Sequence, residues 1–362
     1  MAAAWGKASF TSTRPANQVD ARPHPAVIRR SPQYVNIRMA TIELSWMTHP
    51  PTAMTGGAVT IGNFDGVHRG HQELIRAAAT AARQVGGPTI AVTFDPPPAA
   101  LLYPRPEKAT PLTTLADRAA LLHAAGADYV VILRTDAGLL SLSPEAFFED
   151  VIVGLFAAKA VAEGYNFRFG RARAGDTALL RSLCEAAGIY FSEVAPVNIL
   201  GAPVSSSRIR SLLNEGQVTA ITELLGRPYF LRGIVVPGAR RGRTIGFPTA
   251  NLDQVSTVIP ATGVYAVRAQ VGEMWIPAAA NIGPNPTFGD SARKLEVHLI
   301  DYSGDLYGQS MTIEFVARLR DTRSFSSVSD LVEQLQADVA QTRAIFQHAL
   351  ERDTFSHRKE MS

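Results

Sequence analysis

The chain has 362 residues, 46% of them hydrophobic and 19% charged, enough for two domains of ordinary size with a core in each. A mean hydropathy of +0.04, with no apolar run near the roughly 18 residues of a spanning helix, excludes both a charge-rich disordered chain and a membrane-spanning one. The formal charge of +3 comes from residues 1–38, where Lys7, Arg14, Arg22, Arg29, Arg30 and Arg38 face a single acid, Asp20; the rest is slightly acidic, so neither nucleic acid nor membrane is expected as a partner.

Residues 1–54 mix Pro, Ser, Thr and Arg with scattered apolar residues and show neither strand nor helix periodicity, so they are expected to be unstructured. An Arg-rich, acid-poor stretch suits an organellar transit segment. Lacking an amphipathic face, it reads more simply as an extension from a start codon assigned too early, with Met39 as the true start. The single cysteine, Cys184, can close no intramolecular disulfide and build no Cys-rich zinc site, which fits the cytoplasm.

From Ala58 short apolar runs alternate with helical stretches. Strands are expected at Ala58–Ile61, Thr89–Phe94, Asp128–Leu133, Ala158–Glu163 and Ile189–Val194. Helices are expected at Gln72–Gln84, Leu115–Ala125 and Pro144–Phe156, the last capped by Ser143 with Pro144 at its first position. This alternation predicts a parallel, Rossmann-like α/β domain over residues 55–224, with its ligand beyond the carboxyl ends of the strands.

Gly226-Arg227-Pro228 then breaks the pattern. Phe230–Val236, Gly263–Val271, Trp275–Ala280, Leu295–Ile300 and Met311–Val316 read as strands with Gly and Pro between them, which predicts an all-β antiparallel barrel over residues 225–349. A single amphipathic helix at about Ser329–Ala349 closes it, and 350–362 reads as a frayed tail.

The first strand ends in Gly62-Asn63-Phe64-Asp65-Gly66-Val67-His68-Arg69-Gly70-His71 and runs into a helix. Glycines let backbone approach a bound group, a helix N-terminus offers N–H donors to phosphate, and two histidines three apart face one side. Gly62, Asn63, Gly66 and Gly70 are therefore candidate phosphate or nucleotide contacts, with His68 and His71 beside them. A zinc pair would need further ligands that the neighbourhood lacks, and capping histidines would not need the glycines. Further on, Ser205-Ser206-Ser207-Arg208-Ile209-Arg210 opens another helix. Hydroxyls at a helix start with Arg210 suit polyphosphate, although a Ser-rich cap with a solvated Arg is common.

This pair resembles the nucleotidylyltransferase superfamily, and the longer run TIGNFDGVHRGHQ is similar to the FMN adenylyltransferase module of the bifunctional riboflavin kinase/FMN adenylyltransferase (bacterial FAD synthetase) family. EGYNFRFGRARAGD at Glu163–Asp176, VSSSRIR at Val204–Arg210 and LGRPY at Leu225–Tyr229 follow in the matching order. GRTIGFPTANL at Gly242–Leu252, GVYAV at Gly263–Val267, NIGPNPTF at Asn281–Phe288, LEVHLID at Leu295–Asp301 and DLYG at Asp305–Gly308 resemble the riboflavin kinase module. The resemblance covers about residues 58–345.

It implies two ATP-dependent steps. In the first module the FMN phosphate attacks the α-phosphorus of ATP, with no covalent enzyme intermediate, so catalysis is positioning and charge stabilisation. His68 and His71 would donate hydrogen bonds to the phosphates, Ser206, Ser207 and Arg210 would hold pyrophosphate, and Asn166 would hold flavin or nucleotide. In the second, the ribityl hydroxyl of riboflavin attacks the γ-phosphorus. There Thr249 and Asn251 would supply oxygens to Mg2+, Glu296 would take the hydroxyl proton, and Asn281 would contact flavin or nucleotide. The loop from Gly238 to Gly246, with Gly242 and Arg243, is glycine-spaced and basic as a phosphate wrap would be, though basic hairpin loops are usually solvated. By its residues alone Glu296 reads as an ordinary exposed strand residue.

The chain departs from the family pattern in three places: Pro96-Pro97-Pro98, where a histidine between prolines is usual; Ser207, where threonine is usual; and Pro237, which removes an N–H donor before the glycine loop. The expected partners are small molecules, riboflavin, FMN and ATP, acting on a monomer or transient oligomer. Other readings are a chain with only the kinase module active, a first module that adenylylates a different phosphate-bearing acceptor, and a nucleic-acid-binding protein. The last requires interleaved aromatic and basic residues on strand faces, which the sequence lacks.

Overall fold

The computed structural model describes residues 39–102, 110–239, 241–285 and 290–359. The basic extension up to Arg38, Arg240 of the glycine loop and residues 286–289 of NIGPNPTF lie outside them. The first half runs β1 (Ala40–Leu44), β2 (Ala58–Ile61), α1 (Arg69–Val85), β3 (Thr89–Asp95), α2 (Pro98–Leu102), α3 (Leu115–Ala124) and β4 (Tyr129–Arg134). It continues through α4 (Ala137–Ser141), α5 (Pro144–Phe147), β5 (Ala160–Gly164), α6 (Thr177–Ala187) and β6 (Tyr190–Val194). A hairpin of β7 (Asn198–Ile199) and β8 (Ala202–Pro203) leads into α7 (Ser206–Asn214) and α8 (Val218–Leu225).

Six of these strands form a parallel sheet in the order β1-β4-β3-β2-β5-β6. Every residue of β2 is buried, as expected of a strand covered by helices on both faces. The strand order reverses between β2 and β5, and in such sheets the crevice at the carboxyl ends opens at that reversal. α1 packs on this point through alanines, Ala78, Ala81 and Ala82 against Ala58, Ala160 and Ala162. Side chains this small let the helix axis come close to the sheet, so the start of α1 is fixed directly beyond β2.

The N-terminal boundary differs from the expected one. Residues 40–44 form the edge strand β1, paired with β4 from Ala40↔Tyr129 to Leu44↔Leu133, and the Trp46 indole donates to Asp136 at 3.2 Å. The alternation that makes this strand, Ala40, Ile42 and Leu44 inward with Thr41 and Glu43 outward, is only five residues long and so gave no sustained period. The helix expected over 144–156 begins as drawn, with the Ser143 hydroxyl accepting the Ala146 N–H at 3.1 Å. It widens over Phe148–Leu155 into π-helical turns, which places Phe148, Val151, Ile152 and Leu155 in the core together.

The second half is β9 (Tyr229–Val236), α9 (Arg241–Thr244), β10 (Ala250–Asp253), β11 (Gly263–Val271), β12 (Met274–Asn285), β13 (Asp290–Leu299), β14 (Ser310–Arg320) and α10 (Val328–Lys359). The strands close an antiparallel barrel in the order β10-β13-β12-β11-β14-β9. It has one strand more than expected, because β10 is four residues long and follows a proline. The Tyr265 and Phe315 rings meet edge to face at 5.3 Å inside it, an arrangement worth about 1 kcal/mol beyond area burial. Arg320 clamps the barrel to α10 through both carboxylate oxygens of buried Asp338, the nearest pair at 2.7 Å. The last helix runs to Lys359 rather than ending near 349, since residues 350–359 contain neither Gly nor Pro.

The two halves share a core. Leu112, Ile209, Leu213, Ile221 and Leu224 pack in one apolar cluster with Tyr229, Tyr265 and Phe315 of the barrel. Hydrogen bonds reinforce it, from Val258 N–H to the Pro111 carbonyl at 3.0 Å and from Ala261 N–H to the Leu213 carbonyl at 2.8 Å.

Candidate functional site

α1 begins one turn earlier than the apolar pattern indicated, and His68 is its N-cap: the imidazole Nδ1 accepts the backbone N–H of His71 at 3.3 Å. The two rings stack, with centroids 3.6 Å apart and planes 16° from parallel, and Phe64 meets His71 edge on at 5.3 Å. His68 therefore caps the helix and faces His71 at once. Its ring lies 3.2 Å from where a β carbon on Gly70 would stand, so a side chain there would displace the imidazole. The turn before it is strained. Phe64, Gly66 and Val67 all have positive φ, 47°, 85° and 41°, and Val67 is β-branched, for which this conformation is rare.

Both imidazoles are neutral near physiological pH. Burial, with a smaller push from Arg227, lowers His68 to about 4. Burial, then His68 and Arg118, holds His71 well below its ordinary value. With Nδ1 of His68 accepting a backbone N–H, the proton of the neutral ring sits on Nε2, which leaves that N–H as a donor. His71 Nδ1 is buried without a partner. Such groups stabilise developing phosphate charge by donation rather than by their own charge.

Asp65, in the middle of the motif, organises what surrounds the histidines. It accepts the N–H groups of Leu112 and Thr113 at 2.9 and 3.3 Å, pairs with Arg118 at 3.6 Å and with Arg210, and its carbonyl takes the Ser206 hydroxyl at 2.8 Å. The start of α7 is thus brought to the histidine turn, as expected, and Ser206 and Arg210 are both engaged there. Arg210 also donates to the Thr110 carbonyl at 2.5 Å. Ser207 is exposed and Ser205 caps α7, while Arg208 tethers the β7–β8 hairpin through the Ile199 and Ala202 carbonyls. Gly62 lies at the carboxyl end of β2 and Asn63, exposed, accepts the Thr93 hydroxyl on its carbonyl at 3.2 Å. Asn166 is exposed two residues past β5, on the same edge of the sheet. Sequence reasoning passed over Asp65, Arg118 and Arg227. A charged Asp117-Arg118 pair inside an otherwise apolar helix was the available signal for Arg118, which is buried.

In the barrel, register assembles the second set. Glu296 on β13 lies opposite Asn251 on β10 and opposite Asn281 on β12, so the three stand in one row on one face. Their neighbours Ala250, Leu252, Leu295, Val297, Ala280 and Ile282 are buried inside the barrel, which turns the row outward. Thr249 precedes β10. The glycine loop lies against it: a β carbon on Gly238 would stand 2.2 Å from the Asn251 amide nitrogen, and one on Gly242 2.2 Å from the Phe247 carbonyl oxygen. Arg243 and Gly246 are exposed on this loop. His298, two residues along from Glu296 on the same face, was also passed over. Its Nδ1 lies 2.8 Å from the Pro248 carbonyl, beside Thr249.

The comparisons with known proteins agree with this division. Residues 51–208 match the FAD synthetase family model and residues 225–346 the riboflavin kinase family model. The chain is 36% identical to the bifunctional riboflavin kinase/FMN adenylyltransferase of Escherichia coli (strain K12) over 292 residues, 80% of this chain and 93% of that protein. It is 35% identical to the protein of the same name from Bacillus subtilis (strain 168) over 309 residues, 83% of this chain and 96% of that one. A crystal structure named as a macrolide-efflux protein from Streptococcus pneumoniae shares the fold with a TM-score of 0.77 at 34% identity, covering 84% of this chain and 98% of that one. Among the described residues no helix is long and apolar enough to cross a membrane.

Proposed function

We propose residue roles for the two reactions on the premise that the chain belongs to the bifunctional riboflavin kinase/FMN adenylyltransferase family. It phosphorylates riboflavin to FMN with ATP, and adenylylates FMN with a second ATP to give FAD and pyrophosphate.

The observation that carries the assignment of roles is the stacked pair His68 and His71 at the start of α1, ringed by Arg118, Arg210 and Arg227. In our reading the His68 Nε2–H and the His71 ring donate to the α-phosphate as charge builds on it. Gly62, Asn63, Gly66 and Gly70 line the nucleotide's path, and Ser206, Ser207 and the donors of Arg210 not spent on Asp65 and Thr110 receive pyrophosphate. Asn166 holds the flavin or nucleotide from the neighbouring strand. No nucleophilic side chain is needed, because the FMN phosphate itself attacks.

In the barrel, Glu296 takes the proton of the ribityl hydroxyl as it attacks the γ-phosphorus, and Asn281, level with it on β12, orients the flavin or nucleotide. Gly238, Gly242, Arg243 and Gly246 wrap the phosphates. The Thr249 hydroxyl and the Asn251 amide oxygen are hard donors in a cradle that a β carbon at Gly238 would fill, and they fit Mg2+, which when bound neutralises phosphate charge. We further read the enzyme as cytoplasmic and monomeric or transiently oligomeric, acting on small molecules and not on nucleic acid or membrane. The support is a lone buried cysteine and a slightly acidic body. Incubation with riboflavin, ATP and Mg2+ followed by chromatographic separation of the flavins tests the whole scheme. FMN should appear first and FAD after it; accumulation of FMN without FAD would remove the first module's roles, and no conversion of riboflavin, with supplied FMN still giving FAD, would remove the second's.

A further inference from the structure

The strained turn that carries His68 is held within its own domain by the Gly66 N–H on the Thr113 hydroxyl at 3.2 Å, and it is held a second time from the start of the barrel. The Gly66 carbonyl accepts from Arg227 Nη2 at 2.9 Å. Gln72 spans the Val67 carbonyl at 3.0 Å and the Leu225 carbonyl at 2.8 Å with one amide nitrogen. Arg69 donates to the Glu223 carbonyl at 3.0 Å. Three of the four bonds made by Arg227, Gln72 and Arg69 join a residue flanking the histidines to residues 223–227, the stretch that ends α8 and enters the barrel, and the fourth, from Gln72 to Val67, ties the turn to the side chain that reaches Leu225. A non-glycine residue at positive φ persists only where its surroundings over-determine it; the Val67 side chain is held in the apolar cluster of Phe64, Ile75, Leu122 and Val130, and this stretch adds a hold on the backbone at the Gly66 and Val67 carbonyls.

Arg227 is the costly member. Its Nε and Nη1 are buried without a partner, its guanidinium rests over the Phe230 ring at 5.7 Å, and no carboxylate pairs with it in the described structure. A buried cation left with open donors costs stability, so what keeps it is the turn it holds. We propose that Arg227 is a positioning residue for adenylylation. Through the Gly66 carbonyl it fixes the Gly66–His68 backbone, so the kinase half of the chain completes the adenylyltransferase site. The inference rests on the roles given to His68 and His71.

The experiment uses the full chain and measures FMN-to-FAD and riboflavin-to-FMN turnover separately, with the melting temperature of each variant. Arg227→Met should keep or raise the melting temperature, leave the kinase rate within about twofold, and lower the adenylylation kcat by about tenfold to a hundredfold with little change in KM for FMN, as small displacements of catalytic groups do. Arg227→Lys, which keeps one donor for the Gly66 carbonyl, should recover part of the loss. An adenylylation rate within about twofold of the parent in a folded Arg227→Met variant overturns the proposal. So does a parallel fall of both activities with the melting temperature, or a lysine variant no better than the methionine one. His68→Ala is run alongside: FAD formation surviving in that variant strikes the reading of the histidine turn itself, whereas its loss there with Arg227→Met unaffected strikes only the positioning role.

Discussion

The carboxyl of Glu163 accepts the backbone N–H of Ile61 at 2.6 Å, across the gap where β2 and β5 part. The two strands pair only at Ala58↔Ala160 and Val59↔Val161, and the Glu163 side chain, buried, replaces the next ladder bond directly beneath Gly62. Burial pushes its carboxyl well above the usual carboxylate range. The folded state therefore keeps a proton that the unfolded chain gives up, and Glu163 contributes stability at acid pH that is lost as pH rises through its folded value. Glu163→Gln keeps an acceptor for Ile61 and cannot ionise. Relative to the parent, its melting temperature should become steadily more favourable between about pH 5 and about pH 8. A difference that does not vary with pH would show that the parent carboxyl is already ionised in the fold.

Replacing His68 or His71 by Ala should cut FAD formation by about a hundredfold to ten-thousandfold, the range for removing a positioned donor, while FMN still accumulates from riboflavin. The neutral state of the rings adds a pH signature. With His68 lowered to about 4, its ring-proton NMR resonances should not titrate near the ordinary imidazole value of about 6.5. The same shift has a stability consequence of opposite sign to that of Glu163. As pH falls from about 6.5 the unfolded chain takes up the proton first, so the stability associated with a neutral His68 is whole above that pH and is lost on the way down to about 4. Thermal unfolding of the parent and of His68→Asn across this range checks it, and parallel curves would refute it.

For the kinase, Glu296→Gln should slow phosphorylation of riboflavin by about a hundredfold or more and leave supplied FMN convertible to FAD at the parent rate. The prediction follows from register. Directly opposite Asn251 and Asn281, Glu296 is level with the residues assigned to metal and flavin, and its loss should appear in kcat rather than in binding of MgATP. An unchanged kinase rate, read by following FMN with adenylylation disabled by His68→Ala, would take the general-base role from Glu296.

The sequence carried what depends on local pattern. β2, β3 and β4 are continuous apolar runs, the Ser143-Pro144 cap is written in its own residues, and the histidine turn announces itself by glycine spacing. It did not carry what depends on register or on long-range pairing. Glu296 looked like an exposed strand residue because its meaning lies in β10 and β12, and β10 itself was too short to see. Asp65 and Arg227 stood within quoted motifs, but one read as part of a turn and the other as punctuation. Their partners, Arg118, Arg210 and the Gly66 carbonyl, lie tens of residues away or more. Arg210 was read as a pyrophosphate ligand from its place after a serine-rich cap, and its pairing with Asp65 could not be seen from there.

That pairing sets the last expectation. Asp65 balances two guanidiniums, Arg118, only 5% exposed in its side chain, and Arg210 at 27%. Asp65→Asn removes the paired carboxylate and leaves buried Arg118 with only the weaker field of Asp95, a change that costs about 3 kcal/mol when one partner of a buried pair is removed. Urea unfolding of the variant should show a loss of that order. Adding Arg118→Met removes the buried charge that has lost its paired carboxylate, so the double variant should regain most of the stability. It should not regain adenylylation, because Arg210 has lost the carboxylate that aims it at the start of α7, and the Asp65 carbonyl that takes the Ser206 hydroxyl is no longer fixed by its own side chain. Recovery of both stability and FAD formation in the double variant would mean that Asp65 is only a counter-charge for Arg118. Recovery of stability alone separates the fold's need for Asp65 from the site's.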